Sequence, residues 1–415
     1  MTDSCVILPI SAKTISELEI ERENLLKTLL SDTETLYNIS ENLLSKESKG
    51  FRIAVVASDK EEASRLLKVR EATDTNKSCK VIFAFSGQGT SGAIPLDYLR
   101  STFPMFNSYI SKAEKISLDE ENISIPEILT SWRQASTVEE QIFSFVFGVA
   151  MAMQYIAYGV EPDVLIGHSV GEITAAVISG ILNYEEGLRF VLKRAKLMDS
   201  LEEKGTMCAI KTTKEKLSIL LSKESELSLA SVNGLSSFVV SGSCKDILNA
   251  EKTMDRLSIK HRRLKVSIAA HSALIDPILP DIEKIRIRNI HKEKYPLYSS
   301  LSGKLLDAKE LYEPSWWSRH CRETVCFANA LSSIKADLNI DKALIVEFGV
   351  HRVLLSGGIE IFKNSTWLGC CSMSSYHEGK SSEYCYDRGT KETMANLWQH
   401  GINIKLRTGK EHSKI

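Results

Sequence analysis

The sequence predicts an α/β protein: a parallel sheet covered on both faces, interrupted by a small ferredoxin-like insert and preceded by a small α+β unit. Three observations carry that prediction. Apolar runs of strand length alternate with helical stretches between residues 80 and 206, the order that builds a parallel sheet. From about 207 the pattern changes to short alternating strands and two helices, two βαβ-like halves. Buried-strand character then returns at 343–349, "KALIVEFG". The units implied are 1–78; a large α/β unit from 79–206 and 272–370; the insert 207–271; and a closing segment 371–415.

Along the chain, "VILPI" and "RIAVVA" read as strands flanking a polar stretch with leucines at helical spacing, and "DKEEASRLLKVREA" as an amphipathic helix. The strand "KVIFAF" runs into the glycine-rich loop "SGQGTSG". Next come a long apolar helix, the strand "DVLIG" at 163–167, and a helix over 171–180. Asn183 opens another helix, with Glu186 placed for a capping box. In the insert, "MCAIKT", "LSLASVN", "SFVVSGS" and "HRRLKVS" are strands, with helices at 213–223 and 245–258. "PLYSS" and "KALIVEFG" rejoin the sheet. Residues 372–392 are polar and predicted irregular before a last short element, "ANLWQHGINIKL".

Bulk properties narrow the function classes. A chain of 415 residues predicts two or three domains. Lys+Arg 52 against Asp+Glu 53 leaves a net charge of −1, so no global field draws it to nucleic acid or an anionic membrane. Nine cysteines show no CxxC pair and no spacing for a metal, which predicts free thiols, a reducing compartment and a cytoplasmic protein. The start "MTDSCVILPISAK" lacks the pattern of a signal peptide. "IFSFVFGVAMAMQYIAYGV" has nearly the length of a membrane span, but Gln154 and its charged flanks fit a buried helix better.

The chemistry concentrates at "VLIGHSVGE", residues 164–172. Gly167-His168-Ser169-Val170-Gly171 is a G-x-S-x-G sequence between strand and helix, the context of a nucleophile elbow and of a hydrolase-like sheet. The sharp turn strains the serine and leaves no room for flanking side chains, hence the glycines. An oxyanion formed on an acyl group at Ser169 would meet the Val170 amide at the positive end of the helix. The serine needs a base. His168 is constrained by the turn and is read as packing under the elbow. His271, in "VSIAAHSALIDP", sits on a loop between insert and large sheet and is one candidate. Arg194 lies on the apolar side of its helix, between Met198 and Phe190, away from Arg189, Lys193 and Lys196. A cation in such company needs a carboxylate, from the protein or from a ligand.

The segments "FAFSGQGT", "GHSVGE", "RAKLM", "SVNG", "VVSG", "AAHS" and "WWSRHCRETVCF" occur in an order that resembles malonyl-type acyltransferases, the transacylases of fatty acid synthesis and the acyltransferase domains of polyketide synthases. The likeness covers roughly 80–365. "VILPISAKT" and "RIAVVAS" resemble the linker preceding such a domain, and "LWQHGINI" the segment following it. The resemblance implies Ser169 as nucleophile, His271 as general base, and Gln88 with Val170 as backbone oxyanion donors. It also implies Arg194 as the partner of the substrate carboxylate, and a carbonyl at the position of His320 orienting the base. Gln141, Asn233, Ile268, Ala270 and His168 fall near the acyl pocket. The implied reaction moves a malonyl-type unit from CoA to the phosphopantetheine thiol of an acyl carrier protein. No metal or redox cofactor takes part, and neighbours such as a ketosynthase are the implied partners. In "IAAH", Ala270 leaves room for an α-substituent and Ile268 refills it, so malonyl is the first expectation and methylmalonyl the second. An editing acyl hydrolase, or a scaffold without chemistry, are the competing readings.

Overall fold

The computed structural model describes residues 5–31, 33–76, 79–371 and 380–404. The chain opens with β1 (Val6–Ala12), α1 (Ile15–Leu30), α2 (Leu36–Leu44), β2 (Phe51–Ala57), α3 (Lys60–Val69) and β3 (Thr73–Asp74). β1 and β2 pair antiparallel, Val6 opposite Ala57 and Ala12 opposite Phe51. Period-two alternation explains why both strands read as continuous apolar runs. Leu8, Ile10, Ile53 and Val55 face one core, and Ile7, Ala54 and Val56 face another.

The large unit follows with β4 (Lys80–Phe85), α4 (Leu96–Thr102), α5 (Pro104–Glu121), α6 (Ile125–Thr130), α7 (Thr137–Ala157), β5 (Val164–Gly167), α8 (Val170–Ile178) and α9 (Tyr184–Asp199). α7 is long and apolar enough to cross a membrane by length and composition, yet 78% of its most apolar window is buried. Stacked Phe143 and Phe147, with Phe106 against the latter's edge, fill the layer between sheet and outer helices. At the start of α9 the Asn183 side chain accepts from the Glu186 amide as expected. The Glu186 carboxylate does not bond the cap backbone amide: Oε2 accepts from the Asn183 side-chain amide at 3.1 Å, and Oε1 accepts from the backbone amides of Arg288 and Asn289. A tertiary contact has taken one oxygen of the group that local sequence assigned to the cap.

The insert comprises β6 (Thr206–Lys211), α10 (Lys214–Lys223), β7 (Ser228–Val232), β8 (Ser237–Gly242), α11 (Cys244–Arg256) and β9 (Lys260–Arg263). Its sheet is antiparallel in the order β7-β8-β6-β9, the ferredoxin-like arrangement. Cys208 and Ile210 on β6 join the core under its helices, while the alternate Met207 and Ala209 line the cavity described below.

The chain returns through a 3-10 segment (Ala273–Ile278), α12 (Leu279–Ile282), β10 (Leu297–Tyr298), a second 3-10 segment (Ala308–Tyr312), α13 (Pro314–Arg322), α14 (Phe327–Asp337), β11 (Ala343–Phe348), α15 (Leu355–Gly358), β12 (Thr366–Gly369) and α16 (Ser382–Gln399). The central sheet is parallel, in the order β10-β5-β4-β11-β12. From β4 the chain moves through β5 to β10, then returns to β11 on the other side of β4. That reversal opens a crevice at the carboxyl ends of β4, β5 and β11, where ligands bind in sheets of this kind.

Part of the closing segment departs from expectation. Residues 382–392, predicted irregular, are helical within α16, and 372–379 lie outside the described residues. α16 holds Gly389, two threonines (Thr390 and Thr393) on buried positions and little apolar periodicity, so its local signal is weak. Packing decides it. α16 lies on β2 and β1, Arg388 pairs with Glu62 at 2.8 Å, and Gln399 Oε1 accepts from the Ala54 amide at 2.9 Å. The C-terminal helix is thus bound to the N-terminal sheet.

Glu347 on β11 is fully buried. Its Oε1 accepts from Ser86 Oγ and from the amides of Val353 and Leu354, tying together two loops at the crevice; Oε2 has no partner. Burial pushes its pKa up to about 7 from 4.5, against the opposing pull of those hydrogen bonds. The folded state therefore holds a proton that the unfolded chain releases first, and stability is lost as pH rises from 4.5 through about 7. Glu347→Gln is expected to remove a component of about 3 kcal/mol from that decline. Urea titrations of both proteins at pH 5 and pH 8 check it; parallel declines would assign the slope to other groups.

Candidate active site

β5 ends at Gly167, α8 begins at Val170, and Ser169 forms the turn with φ 51° and ψ −122°, a strained conformation for a residue with a side chain. The glycines are steric requirements. A Cβ at Gly167 would lie 2.2 Å from the Glu172 amide nitrogen, and one at Gly171 would lie 2.2 Å from the Phe85 carbonyl oxygen. The His168 amide donates to Phe85 O at 2.9 Å, so the elbow is pinned to the end of β4. The glycine loop is held just as closely: a Cβ at Gly87 would meet the His168 carbonyl at 2.8 Å.

Ser169 Oγ lies 2.9 Å from His271 Nε2, across 102 residues of sequence. His271 also has a positive φ, 58°, so both members of the pair sit in sparsely populated backbone. Its Nδ1–H donates to the Glu323 carbonyl at 2.9 Å, which leaves Nε2 free to accept the serine proton. The expectation for His320 is corrected here. The orienting carbonyl belongs to Glu323, the C-cap of α13. The last carbonyls of a helix lack intrahelical donors and aim outward at the end of the dipole. A second of them, Cys321 O, accepts the His271 amide at 3.2 Å. His320, one turn earlier, stacks on Trp316 with ring centroids 5.1 Å apart, its Nε2 lying 3.6 Å from Glu172.

His271 is buried, and its pKa is held well below 6.5. Burial is the main cause, and the charges of Arg194, His320 and His168 act in the same direction. It is therefore the neutral base form near neutral pH. His320 shifts upward: burial opposes its charge, but Cys321 and Glu172 outweigh that.

A cavity of about 1040 Å³ opens over the pair. Its wall includes Gln88, His168, Ser169, Asn233, Ile268, Ala270 and His271. Gln88 and Val170 donate their amides to no protein group among the described residues; Gln88 lines the cavity, whereas Val170 is buried and is not part of its wall. His168 Nε2 lies 2.8 Å from Asn233 Oδ1, so these two clasp the insert to the elbow as well as lining the cavity.

Arg194 and Gln141 do not reach that wall. Arg194 is fully buried, as is Gln141. Its Nη1 donates to Gln141 Oε1, and its Nε lies 3.3 Å from Cys321 Sγ. Nη2 has no partner, and no carboxylate stands within ion-pair distance among the described residues. The described residues thus supply no carboxylate counter-ion for the guanidinium. Nor does Gln141 contact the cavity; it holds Arg194 and donates to Met198 Sδ at 3.2 Å. Sequence reasoning missed Glu323 and Cys321. The first acts through its backbone, which no side chain advertises. The second is one of nine free thiols, and its pKa is lowered, Arg194 and His320 outweighing burial.

Labelling of Ser169 by an organophosphonate is expected to keep its rate down to a pH well below 6.5, and His271→Ala to slow it about 100-fold or more. Intact mass against time, across pH, checks both; a limb at or above 6.5 would contradict the neutral-base assignment. Gly171→Ala is expected to destabilise the fold by about 3 kcal/mol, since backbone on both sides resists the added methyl. A thermal melt reads that loss.

Comparison with known proteins agrees with the geometry. The acyl transferase domain family matches residues 82–398. A non-reducing polyketide synthase of Aspergillus flavus, pks27, is 31% identical over 369 residues, 84% of this chain and 18% of that synthase. Erythronolide synthase EryA3 of Saccharopolyspora erythraea is 29% identical over 96% of this chain and 12% of its own length. The chain therefore spans less than a fifth of these relatives. Among solved structures, the acyltransferase domain of SpnD in complex with 2-(pent-4-yn-1-yl)malonyl superposes with a TM-score of 0.84 at 22% identity, covering 97% of this chain and 98% of that one. MCAT of Streptococcus pneumoniae gives 0.62 at 21%, covering 70% and 95%. With a family match over most of its length, relatives among the polyketide synthases and the same fold, the chain belongs to the acyl transferase domain family and is an acyltransferase of the polyketide-synthase kind.

Proposed function

We propose that the chain transfers a carboxyacyl unit, malonyl in the first instance and methylmalonyl in the second, from CoA to the phosphopantetheine thiol of an acyl carrier protein through acyl-Ser169. The observation that carries this is the line Ser169 Oγ, His271 Nε2, His271 Nδ1, Glu323 O, with steps of 2.9 Å at each hydrogen bond. Ser169 Oγ attacks the thioester carbonyl as His271 Nε2 takes its proton. The Gln88 and Val170 amides receive the oxyanion, and the end of α13 steadies the imidazolium. Collapse of the tetrahedral adduct breaks the C–S bond, and His271 returns the proton to the CoA thiolate. The carrier's thiol then gives a proton to His271 and attacks the acyl-serine; the C–O bond breaks and His271 returns the proton to Ser169 Oγ. Apolar walls from Ile268 and Ala270 limit water at the acyl group. Partners of this kind, with adjoining synthase domains such as a ketosynthase, accord with relatives that are multidomain synthases.

Selection of a carboxyacyl group rests on Arg194. A fully buried guanidinium with one unpartnered nitrogen and no carboxylate beside it is costly, and a ligand carboxylate is the partner that completes it, bidentate on a planar fork. Arg194 is closed off from the cavity, so the wall between them has to open on loading. That closure is the one observation favouring a second reading, an acyltransferase or editing hydrolase for uncharged chains. Arg194→Ala separates the two. Malonyl loading on Ser169, read as added mass, is expected to fall about 100-fold, the equivalent of one lost charge-assisted bond pair, with acetyl loading rising. Unchanged malonyl loading would favour the uncharged substrate.

A further inference from the structure

The outer end of the cavity differs in chemistry from its floor. Trp132, between α6 and α7, is 83% exposed and yet lines the cavity. A large aromatic face left in water forgoes burial that its own fold does not supply. Arg262, on the edge strand β9, and Lys265, just beyond it, line the same cavity and are exposed. Neighbouring cations are already matched: Arg263 bonds to Glu251, and Arg133 to Glu139. Arg262 and Lys265 make no ion pair among the described residues. The two rims converge, because Thr137 Oγ1, five residues after Trp132, lies 3.2 Å from Ser267 Oγ, two after Lys265.

An exposed indole and two cations without ion pairs among the described residues, lining the same cavity as Ser169, match a ligand with a purine ring and phosphates at one end and a reactive acyl group at the other. We propose that Trp132, Arg262 and Lys265 form the subsite for the nucleotide end of the acyl-CoA donor, the indole stacking on adenine and the cations meeting the phosphates. The inference rests on the reading of Ser169 as the acceptor of an acyl group from CoA. It adds a distinction between the two half-reactions. The arm of a carrier protein ends in a single phosphodiester with no purine, so this subsite serves the donor and not the acceptor.

The test compares malonyl-CoA with malonyl-pantetheine as donors to the full chain, acylation of Ser169 being followed by intact mass. Trp132→Ala is expected to lower kcat/KM for malonyl-CoA about tenfold, and the double substitution Arg262→Ser with Lys265→Ser by a similar factor, while acylation by malonyl-pantetheine stays at the wild-type rate. Equal losses with both donors, or none with malonyl-CoA, would overturn the subsite. Calorimetric titration with desulfo-CoA gives a readout independent of chemistry: binding about tenfold weaker to Trp132→Ala supports the subsite, and equal binding overturns it. Wild-type protein that binds desulfo-CoA but takes no acyl group on Ser169 would remove the acyl-transfer reading and leave the subsite standing.

Discussion

The close approach of two backbones at the end of the central sheet governs the site. Gly171 sits so near the Phe85 carbonyl that a single added carbon would overlap it, and the same carbonyl accepts the His168 amide. β4 and the start of α8 are thereby held together, and Ser169 between them is driven into a left-handed backbone. Such strain persists only when the surroundings over-determine it. Here they do: β5 is buried along its whole length, α8 is buried on nearly all sides, and the glycine loop after β4 packs against the His168 carbonyl. The hydroxyl is placed by the scaffold.

Everything opposite Ser169 arrives from far along the chain. His271 comes from the end of the insert, and its orientation comes from the carboxyl end of α13, which offers Glu323 O to Nδ1 and Cys321 O to the backbone amide. One helix terminus therefore sets both the ring and its backbone. The same Cys321 touches Arg194 through its sulfur, so His271 and the buried cation share a neighbour. Their electrostatic coupling follows, since the Arg194 charge contributes to the depression of the His271 pKa. A ligand carboxylate seated on Arg194 would weaken that influence and make the imidazole a better proton acceptor when such a substrate is bound.

The cavity draws its walls from several parts of the chain: the loops after β4, β5 and β11, strands of the insert sheet and the segment through Ile268 and His271 after it, the segment around Trp132, and Ser382 and Cys385 of α16. Asn233 and His168 bridge insert and large unit at the centre of this arrangement. Glu347 does comparable work behind the floor, where its single oxygen gathers Ser86, Val353 and Leu354. These are ties between loops rather than within elements, which is why the crevice is well formed although its walls are distant in sequence.

What the sequence by itself determined was local. Steric demands write themselves into residue types, so G-x-S-x-G between an apolar strand and a helix identified Ser169 and its turn, and the alternation in 207–263 was enough for the ferredoxin-like insert. The tertiary structure decided what depends on encounter. Residues 382–392 are helical because β1 and β2 bury them, not because of their own propensity. Glu186 gives one of its oxygens to amides a hundred residues away instead of to its own cap backbone. The carbonyl that orients His271 is Glu323 and not His320, because a backbone group carries no mark of its identity in the sequence. Arg194 could be seen to need a partner; that it meets Gln141 and Cys321, with no carboxylate among the described residues, followed only from which helices came to lie beside it.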